Sequence, residues 1–289
     1  MTPHHHPRAD LHIHSHYSDG TYTVPEIIER AKTLDLRVIS ITDHDSVKGI
    51  DEAKALTKSD NIEIVPGIEF SSELGDISVH LLGYFIDHHD AELLEYLSLC
   101  EKRRLIRTEK TVDELRELGY DITLEQILNI AEGGNLGRPH IAEALVQVSE
   151  FKSVQQVFRK LLVRGKPGYV EKPTFQVDEI INLVHSAGGI CSLAHPKTVG
   201  DDTIIPKLVN RGLDAIEVVH SSHNLHDVEK YSALADQYNL VLSGGSDCHG
   251  KRLGREVIGK HTISTEQVER LRNRVPDTTV KNTTIDLQE

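Results

Sequence analysis

Asp10-Leu11-His12-Ile13-His14-Ser15-His16-Tyr17-Ser18-Asp19-Gly20 opens on the polar-apolar alternation of a β-strand. Successive strand side chains point to opposite faces, so His12 and His14 project together while Ile13 turns into the packing behind them. Two imidazoles converging on one point suit a borderline metal ion, for which neutral imidazole nitrogen is the commonest protein ligand. Taken alone, the pair also fits two exposed strand histidines.

Outward from this stretch, strands and helices alternate. Thr23-Val24-Pro25-Glu26 forms a capping box with proline in the first turn, and Ile27, Ile28, Ala31 and Leu34 follow at helical spacing. Val38 to Thr42 reads as a short buried strand, Ser46 to Ser59 as a helix, and Ile62 to Phe70 and Ile77 to Phe85 as two more strands. Such alternation predicts parallel strands joined by right-handed crossover helices, in a barrel or a doubly wound sheet. From Ala91 to about Leu162 helical runs take over: Leu93 to Leu118, Thr123 to Ala131 and Pro139 to Val148. Alternation then resumes through strands at Gly189 to Ala194, Ala215 to Val219 and Val241 to Gly244, with helices between them and a last one at Thr265 to Arg274. The expected organisation is a discontinuous α/β unit, 8–90 and 170–275, a helical cap inserted at 91–169, and a polar tail at 276–289.

Length and composition bound the function. The 289 residues, 38% hydrophobic, can bury one large core or two modest ones. A formal net charge of -13, from 45 acidic and 32 basic residues, argues against an extensive basic surface gripping long nucleic acid. Cys100, Cys191 and Cys248 are too few and too scattered for a disulfide framework or a thiolate zinc site, and imply a reducing cytoplasm. No signal-peptide pattern and no bilayer-length apolar run stand out, so a soluble protein away from the membrane is expected. His4 to His6 read as part of a mobile end rather than as ligands.

The remaining metal-binding residue types fall at strand ends. Asp43 and His44 follow the second strand, Glu69 ends the third, and His80 lies on the fourth. His195 follows the strand at Gly189 to Ala194, and Asp247-Cys248-His249 follows that at Val241 to Gly244. In a parallel barrel the carboxyl ends of the strands form the face where catalytic groups gather. A random scatter of 18 histidines would not select those ends so consistently, which favours a metal site over surface imidazoles.

The segments Asp10-Leu11-His12-Ile13-His14, Thr42-Asp43-His44-Asp45, Pro66-Gly67-Ile68-Glu69, His80, Ala194-His195-Pro196 and Ser246-Asp247-Cys248-His249 resemble the successive motifs of the PHP (polymerase and histidinol phosphatase) family. The resemblance spans the barrel in the expected order. It implies a distorted (β/α)7 barrel holding three metal ions. Carried over position by position, His12, His14, Glu69 and Asp247 would hold the first ion. Glu69 would bridge to a second, held also by His80 and His195, and Asp19, His44 and His249 would hold the third. The mixed histidine and carboxylate set suits manganese, zinc or iron rather than calcium or magnesium. The helical insertion, with Gly137-Arg138-Pro139-His140, resembles the subgroup that dephosphorylates 3′,5′-nucleoside bisphosphates and includes a 5′-to-3′ exoribonuclease.

Clustered dications invite hydroxide and phosphate, so phosphomonoester hydrolysis is the expected chemistry, releasing inorganic phosphate. Asp43 and Asp45 either orient imidazoles or serve as loop carboxylates or helix caps. Arg138 suits a substrate phosphate bidentately, or is an ordinary helix-start arginine. His140, Lys172 and His223 are further candidate substrate contacts, and His223 is a candidate general acid to the leaving oxygen. The expected substrate is a small phosphorylated nucleotide or a short 5′-phosphorylated oligonucleotide. Another small ester such as histidinol phosphate, and a noncatalytic accessory module, are the alternatives. Aromatic content of 4% leaves few platforms for a base, with Tyr169 and Phe175 available.

Overall fold

Strand β1 (Arg8–Ile13) carries His12 with Leu11 and Ile13 fully buried beside it, as the alternation predicts. The computed structural model describes residues 8–171, 175–251 and 256–276. His4 to His6, Lys172 and all but the first residue of the expected tail at 276–289 lie outside them.

Helix α1 (Val24–Thr33) starts on the expected capping box, with the Glu26 N–H donated to Thr23 Oγ1 and the Thr23 N–H to Glu26 Oε2. Strand β2 (Leu36–Ile41), helix α2 (Gly49–Thr57) and the short β3 (Glu63–Ile64) follow. The expected strand from Ile62 to Phe70 is broken at Val65-Pro66, because proline has no N–H to give a ladder, and resumes as β4 (Gly67–Leu74).

Strand β5 (Ile77–Tyr84) then departs from the expected parallel pattern. It runs antiparallel to β4, with Leu74 opposite Ile77. The intervening Gly75-Asp76 is too short for a crossover helix, and Gly75 at φ +61° supplies the left-handed turn a tight hairpin needs.

After the helical stretch, β6 (Phe175–Gln176) leads to α7 (Val177–Ser186) and β7 (Ile190–Leu193), then to α8 (Pro196–Val199), α9 (Ile204–Val209) and β8 (Ala215–Val219). Helix α10 (Leu225–Tyr238), β9 (Val241–Gly244), β10 (Ile263–Ser264) and α11 (Thr265–Arg272) complete the elements of the described residues. Two mixed sheets result, ordered β10-β1-β2-β3 and β6-β4-β5-β7-β8-β9. They meet at two seams, through isolated parallel bridges between Ile13 and Cys248 and between His44 and Glu69. Both seams therefore fall at the strand ends that carry the candidate ligands.

The helical stretch holds α3 (Ala91–Glu117), α4 (Leu124–Ala131), α5 (Arg138–Val148), α6 (Val154–Val157) and a π-helical turn at Phe158–Leu162. Most of it packs around its own cluster, including Leu115, Ile122, Ile127, Ile141, Leu145 and Leu162, while the start of α3, with Leu93, joins the cluster that covers the larger sheet. Buried polar links tie it to the sheets, beside exposed ones from Lys48 Nζ to Glu101 Oε1 at 3.0 Å and from Arg164 Nη1 to Asp76 O at 3.2 Å. Buried Arg104 on α3 donates to Asp45 Oδ2 through Nε at 3.1 Å and through Nη2, and Asn135 Nδ2 donates to the carbonyls of His44 and Asp45 at 3.0 and 2.6 Å. No helix among the described residues is long and apolar enough to cross a membrane.

Candidate metal centre

Glu69, at the seam between the sheets, is 1% exposed, and its two carboxylate oxygens face two different sets of imidazoles. Oε1 lies 2.8 Å from His80 Nδ1 and 2.9 Å from His195 Nε2. Oε2 lies 3.1 Å from His14 Nε2, 3.1 Å from His44 Nδ1 and 3.3 Å from His12 Nε2. Asp247 Oδ1 adds contacts of 3.4 Å to His12 Nε2, 3.1 Å to His14 Nε2 and 3.4 Å to His249 Nδ1. Asp19 Oδ1 stands 3.2 Å from His249 Nε2, while its Oδ2 is 3.9 Å from His44 Nε2. All nine residues expected as ligands thus gather around one centre.

Their donor atoms fall into groups that can each hold an ion: His12, His14, Glu69 and Asp247; His14, Asp19, His44 and His249; and His44, Glu69 and His80. His14 Nε2 and His44 Nδ1 are buried with no hydrogen-bond partner. A buried imidazole nitrogen left without a partner costs free energy unless something else meets its lone pair, and a divalent cation does so directly. The electrostatics agree. Burial alone would lower the His14 pKa, but Asp247 and Glu69 override it and raise it to about 10. Burial likewise works against Glu69, yet the imidazoles of His44, His80 and His12 hold its carboxyl well below the usual range. The buried carboxylates call for positive charge within a few ångströms. The mixed nitrogen and oxygen donors fit a borderline divalent ion better than calcium or magnesium.

The backbone is shaped to deliver these groups. His195 and Asp247 take left-handed conformations at φ +28° and +52°, an uncommon geometry outside glycine that concentrates at functional sites. A Cβ at Gly245 would stand 2.3 Å from the His12 backbone nitrogen, so only glycine lets β9 lie this close to β1. Asp43 does not touch an imidazole. Its carboxylate accepts from the Ser15 N–H and hydroxyl at 2.7 and 2.5 Å and from the Ser18 hydroxyl at 2.5 Å, shaping the loop that presents Asp19. Asp45 serves Arg104 and the Ser71 N–H instead, so both carboxylates organise loops rather than rings.

Two residues not anticipated from the sequence join the centre. Buried Glu217 on β8 takes the His12 Nδ1–H on Oε1 at 2.9 Å and the His195 N–H on Oε2 at 2.7 Å, leaving His12 Nε2 free to face the cavity. Buried His220 accepts the Ser222 N–H at Nδ1, which places its proton on Nε2, 3.2 Å from Asp247 Oδ2. Glu217→Gln should weaken metal retention about ten- to a hundredfold, as loss of an outer hydrogen-bond partner of a ligand does. Metal retained against a chelator as tightly as in the parent would remove Glu217 from this role.

The candidate substrate contacts are placed less uniformly. His223 donates from Nδ1 to Val218 O at 2.8 Å, and its Nε2 is buried without a partner beside the His220 ring. Arg138, half-buried at the start of α5, gives one N–H to Leu162 O at 3.2 Å and lies near the Tyr169 and Phe158 rings. His140 is buried, and its Nδ1 accepts the Gly137 N–H at 3.1 Å, closing the first turn of α5. Lys172 lies outside the described residues. His185, without motif context in the sequence, pairs with Asp214 at 2.7 Å, and His88 pairs with Asp51 at 2.9 Å.

A model of the PHP domain matches residues 10–190. The chain belongs to the PHP family. It is 33% identical over 259 residues to the 3′,5′-nucleoside bisphosphate phosphatase of Chromobacterium violaceum, covering 88% of this chain and 90% of that one. It is 31% identical over 250 residues to a 5′-3′ exoribonuclease of Escherichia coli, covering 83% of this chain and 84% of that protein. A crystal structure from Bifidobacterium adolescentis, provisionally assigned as a metal-dependent phosphoesterase, superposes with a TM-score of 0.86 at 28% identity, covering 94% of this chain and 97% of that one. This PHP protein is a hydrolytic phosphoesterase with histidine, aspartate and glutamate clusters able to bind metals.

Proposed function

We propose that this PHP protein removes the 3′-phosphate from 3′,5′-bisphosphorylated nucleosides, giving a nucleoside 5′-monophosphate and inorganic phosphate. The observation that carries the reading is the split of Glu69 between two imidazole sets at the seam of the sheets. In this reading the two sheets close as a distorted (β/α)7 barrel, formed by residues 8–90 and 170–275, and the stretch 91–169 is a helical cap over its mouth. The sequence likeness to a bisphosphate phosphatase supports the substrate class. Three buried free thiols suit a reducing cytoplasm.

His12, His14, Glu69 and Asp247 would hold one ion; Glu69, His80 and His195 a second; Asp19, His44 and His249 a third. Manganese, zinc or iron at these positions would supply Lewis acidity and positive charge for phosphoryl transfer to water. Glu69 keeps the two imidazole sets in register, and Glu217 holds His12 with Nε2 facing inward. His223 donates its Nδ1–H to Val218 O, so the neutral ring presents a lone pair at Nε2. Burial lowers its pKa, and it acts as general acid to the leaving oxygen only after taking a proton there. Arg138 keeps N–H groups beyond the one on Leu162 O and receives the phosphate that is not hydrolysed.

The test is phosphate release from adenosine 3′,5′-bisphosphate, histidinol phosphate and a short 5′-phosphorylated RNA, with manganese, zinc and iron supplied separately. Preference for histidinol phosphate would overturn the nucleotide reading. Arg138→Ala should lower kcat/KM for the bisphosphate about ten- to a hundredfold, the value of one charge-assisted phosphate contact, while p-nitrophenyl phosphate hydrolysis stays near the parent's. Equal loss on both would place Arg138 against the reacting phosphoryl group.

A further inference from the structure

Apart from the nine ligands of the metal centre, the segment between β5 and α3 carries the adjacent His88 and His89, and both face Asp51 in the first turn of α2. His88 Nε2 lies 2.9 Å from Asp51 Oδ1, and His89 Nε2 lies 3.5 Å from Asp51 Oδ2. Neighbouring side chains on an extended strand point to opposite faces, yet these two rings have their centres 4.2 Å apart. The three donor atoms fall within 4.8 Å of one another and belong to none of the groups around Glu69.

The backbone holds this arrangement in place. The Asp87 N–H is donated to Ala187 O at 2.7 Å, the His89 N–H to Asp87 Oδ1 at 3.0 Å, and the Asp90 N–H to Asp87 O at 3.0 Å. Asp90 then caps α3 by accepting the Leu93 N–H at 2.9 Å. His88 is 7% exposed, so packing fixes its ring, whereas Asp51 and His89 face solvent. The hydrogen bond with His88 holds the Asp51 carboxyl below its usual range, and His89 and Lys54 add to the effect, so Asp51 is an anion at neutral pH. With protein groups alone the cluster is an exposed ion pair, which adds little to stability. Donors about 2.0–2.1 Å from a tetrahedral zinc ion stand about 3.3 Å apart, a spacing that the two contacts bracket.

We infer that His88 Nε2, His89 Nε2 and the Asp51 carboxylate form a separate site for a divalent ion of the zinc class, which fastens α2 to the turn opening the helical stretch. Two imidazoles and one carboxylate are a borderline donor set, suited to zinc, cobalt or nickel rather than calcium or magnesium. Three protein ligands leave a fourth position for water. The exposure of two of the ligands lets this ion exchange with solvent. An ion here ties together the ends of a 37-position span that holds β3, β4 and β5, and by binding the folded chain it stabilises it through mass action. The site stands whichever phosphate ester the metal centre hydrolyses.

Asp51→Ala and His89→Ala, both at exposed positions, test the site in the manganese-loaded enzyme. Zinc per chain is measured by elemental analysis after equilibration in a zinc-buffered solution, and amide exchange of residues 86–90 is followed with and without zinc. Each variant should bind about one zinc equivalent less than the parent, since a three-ligand site fails when any ligand is lost. Apart from the substituted residue the variants keep every histidine, His4 to His6 included, so the difference isolates this site. Zinc should slow exchange at 86–90 in the parent and not in the variants. Hydrolysis of p-nitrophenyl phosphate should be the same in all three proteins. Zinc uptake by either variant equal to the parent's overturns the site. Uptake lost in the variants without slower exchange in the parent overturns the fastening. Turnover that falls in step with zinc would make the three residues part of the catalytic centre and overturn a separate site.

Discussion

Glu69→Gln should lose both bound metal and turnover by more than about a hundredfold, exceeding the ten- to hundredfold typical of outer hydrogen-bond partners. The substitution preserves shape and removes only the charge that five imidazoles converge on. Gln offers one carbonyl oxygen and an amide that carries only donors, so it cannot face both imidazole sets as an acceptor. Metal affinity and folding are linked through such ligands, so the thermal stabilisation given by added manganese or zinc should shrink in parallel. Elemental analysis after dialysis, read beside phosphate release, checks both expectations. Full occupancy with unchanged turnover would show that Glu69 is not a bridging group.

The gathering of most candidate ligands was legible because it follows a period and a topology. His12 and His14 share a strand face, and His44, His195, Asp247 and His249 follow strand ends, whereas Glu69 lies near the start of β4, His80 lies midway along β5, and Asp19 came only with the family resemblance. The antiparallel β4–β5 pair was not legible from the apolar runs, since both directions of pairing need the same residues. Gly75-Asp76 between Leu74 and Ile77 was the overlooked signal. Glu217 and His220 were missed although the sequence marks both. Ala215-Ile216-Glu217-Val218-Val219 places a carboxylate within a buried strand, which is rare unless it is paired, and His220 follows that strand just as His195 follows β7. The tie between Asp45 and Arg104 was beyond reach, because no local spacing relates residues 59 positions apart.

That tie carries the second large effect. Arg104 is 8% exposed and Asp45 2%, and two guanidinium nitrogens converge on Asp45 Oδ2. Breaking a buried pair by removing one partner leaves an uncompensated charge and costs about 3–5 kcal/mol. Asp45→Asn is the appropriate probe, because Asn tolerates the left-handed backbone at φ +48° where most other side chains would add strain. The variant should unfold at lower denaturant by that amount. The helical stretch should also loosen first, since Asn135 and Arg104 supply its buried polar ties to the loop bearing His44. Adding Arg104→Met removes the stranded charge and should recover much of the loss, because an apolar replacement of similar volume is tolerated where a lone buried cation is not. Paired chemical denaturation of the single and double variants measures both steps. A loss below about 1 kcal/mol in Asp45→Asn, the range of an exposed ion pair, would mean that the Arg104 guanidinium reaches water by another route and that the helical stretch is not held through it.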